Sequence, residues 1–405
     1  MPMIKNYRQF EGLHYETGPL HNVLAHLGVK APHTGKPLSE ALLLGISGGA
    51  TFGYFLFDYK GHDPMLSLLS RNTFDPLETL LTRLAVPREL KHSADEQKAE
   101  ANLAEVLEGN QPAIVWADRV SLPYNGLGSS ADWWAMMPLV VYGMDDKQLY
   151  IADRSHQPLT ASLADFRKAR ARIKKDKFRL MTLTPPDLSK LKDAVQAGIW
   201  QCIQLYTEKP PKGAKTNFGF EAYRHWANML TNTRNPKSWT RFFPAGPALW
   251  SALAGAGMSP GLTGWVHTWG LGDGMERGAY AEFLDEAAEL LKRPKLKLAA
   301  EYFRHSRVVW LELGQVALPD DVPLCRETRE LVIRRRQLFV DQGAASLAER
   351  QAIGARLKEI RTQIEQRFPL SETQVTAMCE QMSATVMKIH DLEFEAVKVM
   401  QMAMR

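Results

Sequence analysis

At 405 residues and 45.6 kDa the chain is too long for one ordinary core, so two domains are expected, each able to bury a sizeable interior. Hydrophobic residues at 45%, charged residues at 23% and a mean hydropathy of -0.27 exclude a multispanning membrane protein and a disordered charged tail. Fifty Lys and Arg against forty-five Asp and Glu leave +5, too mild for a dedicated nucleic-acid surface, though a weakly acidic partner fits.

Cys202, Cys325 and Cys379 lie far apart and form no CxxC pair, which supports neither a zinc ribbon nor a disulfide framework. The opening MPMIKNYRQFEGLHYETG has no apolar stretch suited to a signal peptide, and no later run approaches the roughly 18 apolar residues of a span. A reducing cytoplasm, away from membranes, is the expected compartment.

In chain order, helical stretches first alternate with strand-like runs: ATFGYFLF at 50–57, PAIVWAD at 112–118, PLVVYG at 138–143, QLYIAD at 148–153 and FRLMTL at 178–183. This half reads as α+β. TPPDLSK at 184–190 then offers two prolines and a helix cap, Asp187 or Thr184, which suits a boundary between domains at 1–185 and 186–405. Beyond it the pattern is helical. Its last 60 residues read as a hairpin of two long helices, with Ile353, Leu357, Ile360, Ile364 and Phe368 on one stripe. Pro369 interrupts, and Val375, Met378, Met382, Val386, Ile389 and Met400 continue it. A packed seam against the partner helix is the leading reading, with a homodimer through the hairpin as the alternative.

Residues 12–57 resemble the start of the butirosin biosynthesis protein H family. The resemblance rests on His14-Tyr15, Glu16-Thr17, Asn22-Val23-Leu24, Ser39-Glu40-Ala41 and Gly45-Ile46-Ser47-Gly48-Gly49 through Tyr54. LPYNGLG at 122–128 and PLVVYGMDDKQLYIADRS at 138–155 look like its later blocks. FEAYRHWANML at 220–230, KSWTRFF at 237–243 and RGAYAEFLDEAAELL at 277–291 resemble the helical domain of unknown function that commonly follows. The resemblance implies a papain-like, C39-peptidase-like α+β domain followed by an all-α domain. For the family's founder it also implies acyl transfer from a carrier-protein thioester to an amine.

That chemistry needs a thiol at a helix start, an imidazole as base and an acid that orients it. The family's Cys falls at Tyr15, its His falls near Met137, and the third position survives as Asp153. Thiol and base are absent. Tyr15 and Asp153 remain as catalytic candidates, with His14, Glu16, Asn125, Met137 and Arg154 around the substrate. A phenol has an ordinary pKa near 10, so a structural or ligand-contacting Tyr15 outweighs a catalytic one. His14, on a strand or cap, is expected to point away from it.

Other features have blander readings. GISGG lacks the Lys and Ser or Thr of a P-loop, so close packing outweighs a phosphate cradle. RKARARIKKDK at 167–177 carries seven basic residues and reads as a solvated helix face before a dock for an acidic carrier protein. Glu221 with His225, and Glu301 with His305, share helix faces, yet no third or fourth ligand is placed, so no metal or cofactor is assigned. His26 and His33 read as caps or surface residues, and Arg277, at a helix start, reads as a weak anion contact.

Two functions stand at the end of this reading. The first is a butirosin-H-like protein of natural-product biosynthesis, transferring an acyl group to an amine or hydroxyl by positioning alone. Its partners would be a small-molecule or acyl-thioester substrate and an acyl carrier protein. The second is a catalytically silent, papain-like binding or scaffolding protein. A metal-dependent enzyme in the helical half is a distant third.

Overall fold

Continuous apolar runs make the central strands and polar runs make the edges. The computed structural model describes residues 2–127, 133–173, 178–210, 212–255 and 259–405. An α/β N-terminal region with sheets is followed by a mostly helical C-terminal region. The contacts divide the chain into two compact units. The first comprises Met1–Leu43, Leu81–Leu191 and Arg335–Ala352, and the second Leu44–Leu80, Lys192–Arg334 and Ile353–Arg405.

In the first unit a six-stranded antiparallel sheet has the order β3-β8-β4-β5-β6-β7. The strands are β3 (Arg88–Lys91), β4 (Ala113–Asp118), β5 (Met136–Met144), β6 (Gln148–Ala152), β7 (Leu159–Ser162) and β8 (Leu180–Leu183). Every residue of β4 and β8 is buried, as a strand covered on both faces requires. The sheet's edges, β3 and β7, are four residues each and alternate or turn outward, which suits an edge that must resist pairing. Helix α1 (Thr17–His26) packs on β5, and α4 (Glu96–Glu108) and α5 (Leu163–Arg170) also pack on the sheet. Asp95 caps α4 and Ser162 caps α5, each accepting a backbone N–H three residues on.

The second unit holds the hairpin of β1 (Ala50–Phe57) and β2 (Met65–Arg71), linked to the first unit's chain by α2 (Glu40–Ile46) and α3 (Pro76–Arg83). Its helices are α6 (Leu191–Thr207), α7 (Gly219–Thr231), α8 (Trp239–Phe242), α9 (Pro247–Ala254), α10 (Gly261–His267), α11 (Arg277–Leu291), α12 (Lys295–Ala317) and α15 (Glu372–Met404). Helices α13 (Pro323–Gln342) and α14 (Leu347–Gln366) contribute to both units. Trp226, Trp239 and Trp310 are fully buried and mark the centre of this core. Burying each large apolar side chain contributes roughly 1.5–3 kcal/mol, so these three anchor it.

The C-terminal pair differs from the expected hairpin seam. Two helices form with a break spanning Pro369, and a Ser371–Gln374 capping box restarts the second. The stripe of Val375, Met378, Met382, Val386, Ile389 and Met400 is buried, but α15 packs chiefly on α12 and α7. On α12 the buried apolar residues include Phe303, Val309, Trp310 and Leu313. No described helix is long and apolar enough to cross a membrane.

Candidate functional site

Two polar clusters of the first unit contain the residues that the sequence singled out. One sits at the start of α1. Glu16 provides no side-chain cap there. The imidazole of His14 substitutes for it: Nδ1 accepts the Glu16 N–H at 3.0 Å, which leaves Nε2 as the protonated nitrogen of a neutral ring. Glu40, at the start of α2, accepts the Leu13 N–H at 2.7 Å, the His14 N–H at 3.1 Å and the Thr17 hydroxyl at 3.1 Å. A charged acceptor for two backbone donors holds the loop firmly. Asn22 Oδ1 takes the Gly12 N–H at 2.9 Å. Gly12 and Gly18 let this loop cross the first turn of α1, since a side chain on Gly18 would meet the Gly12 carbonyl carbon at 2.8 Å.

His14 is buried and Tyr15 half-buried, and their ring centroids are 4.1 Å apart. The expectation that His14 points away from Tyr15 is therefore overturned. As a capping acceptor His14 turns its ring toward the helix start, and Tyr15 lies across it.

The second cluster gathers at the ends of β4 and β6. Arg154 has a left-handed backbone, φ 51°, which breaks the alternation of a strand and lets two consecutive side chains face each other. Its Nε donates to Asp153 Oδ1 and its Nη2 to Asp153 Oδ2, both at 2.7 Å. The Tyr124 hydroxyl donates to Asp153 Oδ2 at 2.9 Å. Burial and Asp153 together hold that phenol well above its ordinary pKa. For Arg154, burial opposes the charge but Asp153 overrides it and raises the pKa. Asn125 is the bridge: Oδ1 accepts from Arg154 at 3.0 Å and Nδ2 donates to the Arg119 carbonyl at 2.9 Å.

A segment distant in sequence completes this cluster. Arg350 donates to the Tyr124 carbonyl at 2.7 Å and the Asn125 carbonyl at 2.9 Å. The Phe339 ring lies under the Arg154 and Arg350 guanidinium carbons at 5.3 and 5.0 Å. The hydrogen bonds of Asp153 thus run to Tyr124 and Arg154; none among the described residues joins it to Tyr15. Met137 lies half-buried on β5, opposite Ala117 of β4.

Residues 14–154 match the family model described as butirosin biosynthesis protein H, N-terminal. A mostly helical region follows the match. No curated protein matches the chain. Both clusters fall inside the butirosin-H-type segment, apart from Gly12, Leu13 and the Phe339 and Arg350 contacts.

The remaining candidates are otherwise engaged. All three cysteines are buried, and burial pushes each thiol up to about 12, so none supplies a thiolate near neutral pH. In GISGG, Gly49 faces the Tyr280 ring, where a side chain would meet a ring carbon at 2.6 Å, so close packing accounts for the glycine. Arg167 pairs with Glu96 and Glu100, and Arg170 donates to the Phe178 carbonyl at 2.9 Å. Residues 174–177 of that basic run, and Gly128 of LPYNGLG, lie outside the described residues. Glu221 and Glu301 pair with Arg224 and Arg304 on their own helices. Among the described residues no three His, Cys, Asp or Glu side chains group to hold a metal ion.

Arg277 does meet an anion, and it is internal. Its Nε donates to Glu393 Oε1 at 2.8 Å with both side chains fully buried. Tyr206, Tyr223 and Ser306 donate to the same carboxylate at 2.6, 2.7 and 2.6 Å. Burial disfavours the Glu393 charge, but Arg277 outweighs it and holds the carboxyl below the usual range. Sequence reasoning missed Glu40, Tyr124, Arg119 and Arg350 as structural partners. Glu40 and Tyr124 stood within the motifs quoted for the family; Arg350 carried no local signal.

Proposed function

We propose that the butirosin-H-type segment is a papain-like domain that binds an acyl or amine substrate without forming a covalent intermediate. The chain would serve small-molecule biosynthesis as a binding or presenting protein, with a carrier-protein thioester as the partner class. One observation carries this reading. Asp153, the surviving position of the implied triad, spends both oxygens on Arg154 and Tyr124, while Tyr15 and Met137 stand where thiol and base would be. A carboxylate held in a bidentate ion pair orients its own neighbours and is a poor proton acceptor.

Acyl transfer by the same segment is the second reading, with the half-buried Tyr15 at the position that the resemblance implies for the nucleophile. With Nδ1 accepting the Glu16 N–H and Nε2 protonated, His14 has no lone pair left for the phenol proton, so such transfer would need the Tyr15 hydroxyl to react without it. Intact-mass spectrometry of the full chain with a short-chain acyl thioester and an amine acceptor separates the two. Saturable binding with no acyl-protein and no amide product, unchanged by Tyr15→Phe, is the expected result. An acyl adduct or amide product that disappears in Tyr15→Phe would overturn the binding reading and establish transfer.

A further inference from the structure

We propose that Arg119, with Arg154 and Arg336 beside it, binds the oxyanion of the ligand, a carboxylate or a phosphate group. The inference rests on the reading of this segment as a ligand binder, and it names the chemistry the ligand must carry.

The backbone of Arg119 is immobilised. Asp118 Oδ1 accepts the Val120 N–H at 3.1 Å and the Ala135 N–H at 2.8 Å, and the Ser121 hydroxyl donates to its Oδ2 at 2.5 Å. The Arg119 N–H donates to the Ala135 carbonyl at 3.0 Å, and its own carbonyl takes Asn125 Nδ2. The side chain has a different status. Its Nε is sealed from solvent and meets no acceptor, although the residue as a whole keeps a partial opening to solvent.

The nearby charges are committed elsewhere. Asp153 accepts from Arg154 and Tyr124, and Arg350 is spent on the carbonyls of Tyr124, Asn125 and Gly343. The groups acting on Arg119 are Arg154 and Arg336 on one side and Asp153 and Tyr124 on the other. Burial first, and Arg154 second, depress its guanidinium pKa to about 9. A buried Nε–H without an acceptor is costly, and the partly open side chain leaves the rest of the guanidinium for an arriving oxyanion. The planar fork of Arg suits a carboxylate or phosphate equally, so geometry alone names their shared chemistry.

The test is titration calorimetry of the full chain at neutral pH and low chloride, with sodium acetate and with inorganic phosphate in separate arms. Saturable binding of one anion is expected, and the arm that saturates names the source. Arg119→Met should weaken it roughly 10- to 100-fold. Arg119→Lys, which keeps the charge but loses the fork, should restore part of it. Binding that is equal in wild type and Arg119→Met, or no saturation by either anion, overturns the proposal. Should Arg119→Met fail to fold, Arg119→Gln, which keeps a polar side chain but loses the charge and the fork, takes its place, and an unchanged affinity in it overturns the proposal instead. Thioester or amine binding with neither anion bound defeats this inference alone; anion binding without thioester or amine binding supports it and defeats the broader reading.

Discussion

Replacing Asp153 with alanine strips Arg154 of both its carboxylate contacts and leaves the Tyr124 hydroxyl without its acceptor. Asp153 is 5% and Arg154 11% exposed at the side chain, so solvent compensates little. Removing one partner of a buried pair costs about 3–5 kcal/mol, mostly through the charge left behind. The stranded phenol contributes to the same loss and does not add fully, so about 4 kcal/mol is expected for the first unit. A chain of two units need not unfold in one step, so a local readout is required. Native-state amide exchange at Ile151 and Ala152 of β6 supplies it, with protection falling on the order of 1,000-fold. The double variant Asp153→Leu with Arg154→Met, which removes both charges, should recover most of the loss. A loss under about 1 kcal/mol for Asp153→Ala would refute the claim that this pair is buried and mutually dependent.

Glu40→Ala frees two backbone donors and the Thr17 hydroxyl at the start of α1, and should cost about 2–3 kcal/mol locally. Exchange at the Leu13 and His14 amides measures it, and unchanged protection would show that Glu40 does not clamp the loop. In the second unit, burial first and Arg329 second lower His267 to about 4. The unfolded chain therefore binds its proton more readily, and the stability contributed by neutral His267 is present above the ordinary value of about 6.5 and lost as pH falls toward 4. Acid unfolding of wild type against His267→Leu should show a loss on the order of 3 kcal/mol across that window in wild type only. Parallel pH profiles would contradict it.

The central strands and the long helices were legible in the sequence because their signals are local. ATFGYFLF at 50–57 is β1 as read, and the runs at 112–118 and 178–183 lie within a residue or two of β4 and β8. The motif at His14-Tyr15 and most of that at 138–155 lie at the two ends of the segment that matches the family model, residues 14–154. β3 and β7 escaped because an edge strand of four residues needs no apolar run; pairing to β8 and β6 makes them strands. β2 escaped as well, and its partner β1 lies across a turn that the apolar pattern does not mark.

The sequence by itself carried the resemblance to the butirosin-H family and, through it, the expectation that Tyr15 and Met137 stand in place of a thiol and an imidazole, with Asp153 retained. Only the tertiary structure decided what those residues do. It turned His14 into a cap lying against Tyr15, committed Asp153 to Arg154 through a left-handed residue, and met Arg277 with Glu393, 116 positions away. It also brought Phe339 and Arg350 onto the loop at Tyr124 and Asn125, and left Arg119 among charges already paired. The reason is physical. Periodicity and propensity act within a turn or a strand, whereas the state of a buried charge depends on whichever partner the fold places within a few ångströms, at any distance along the chain.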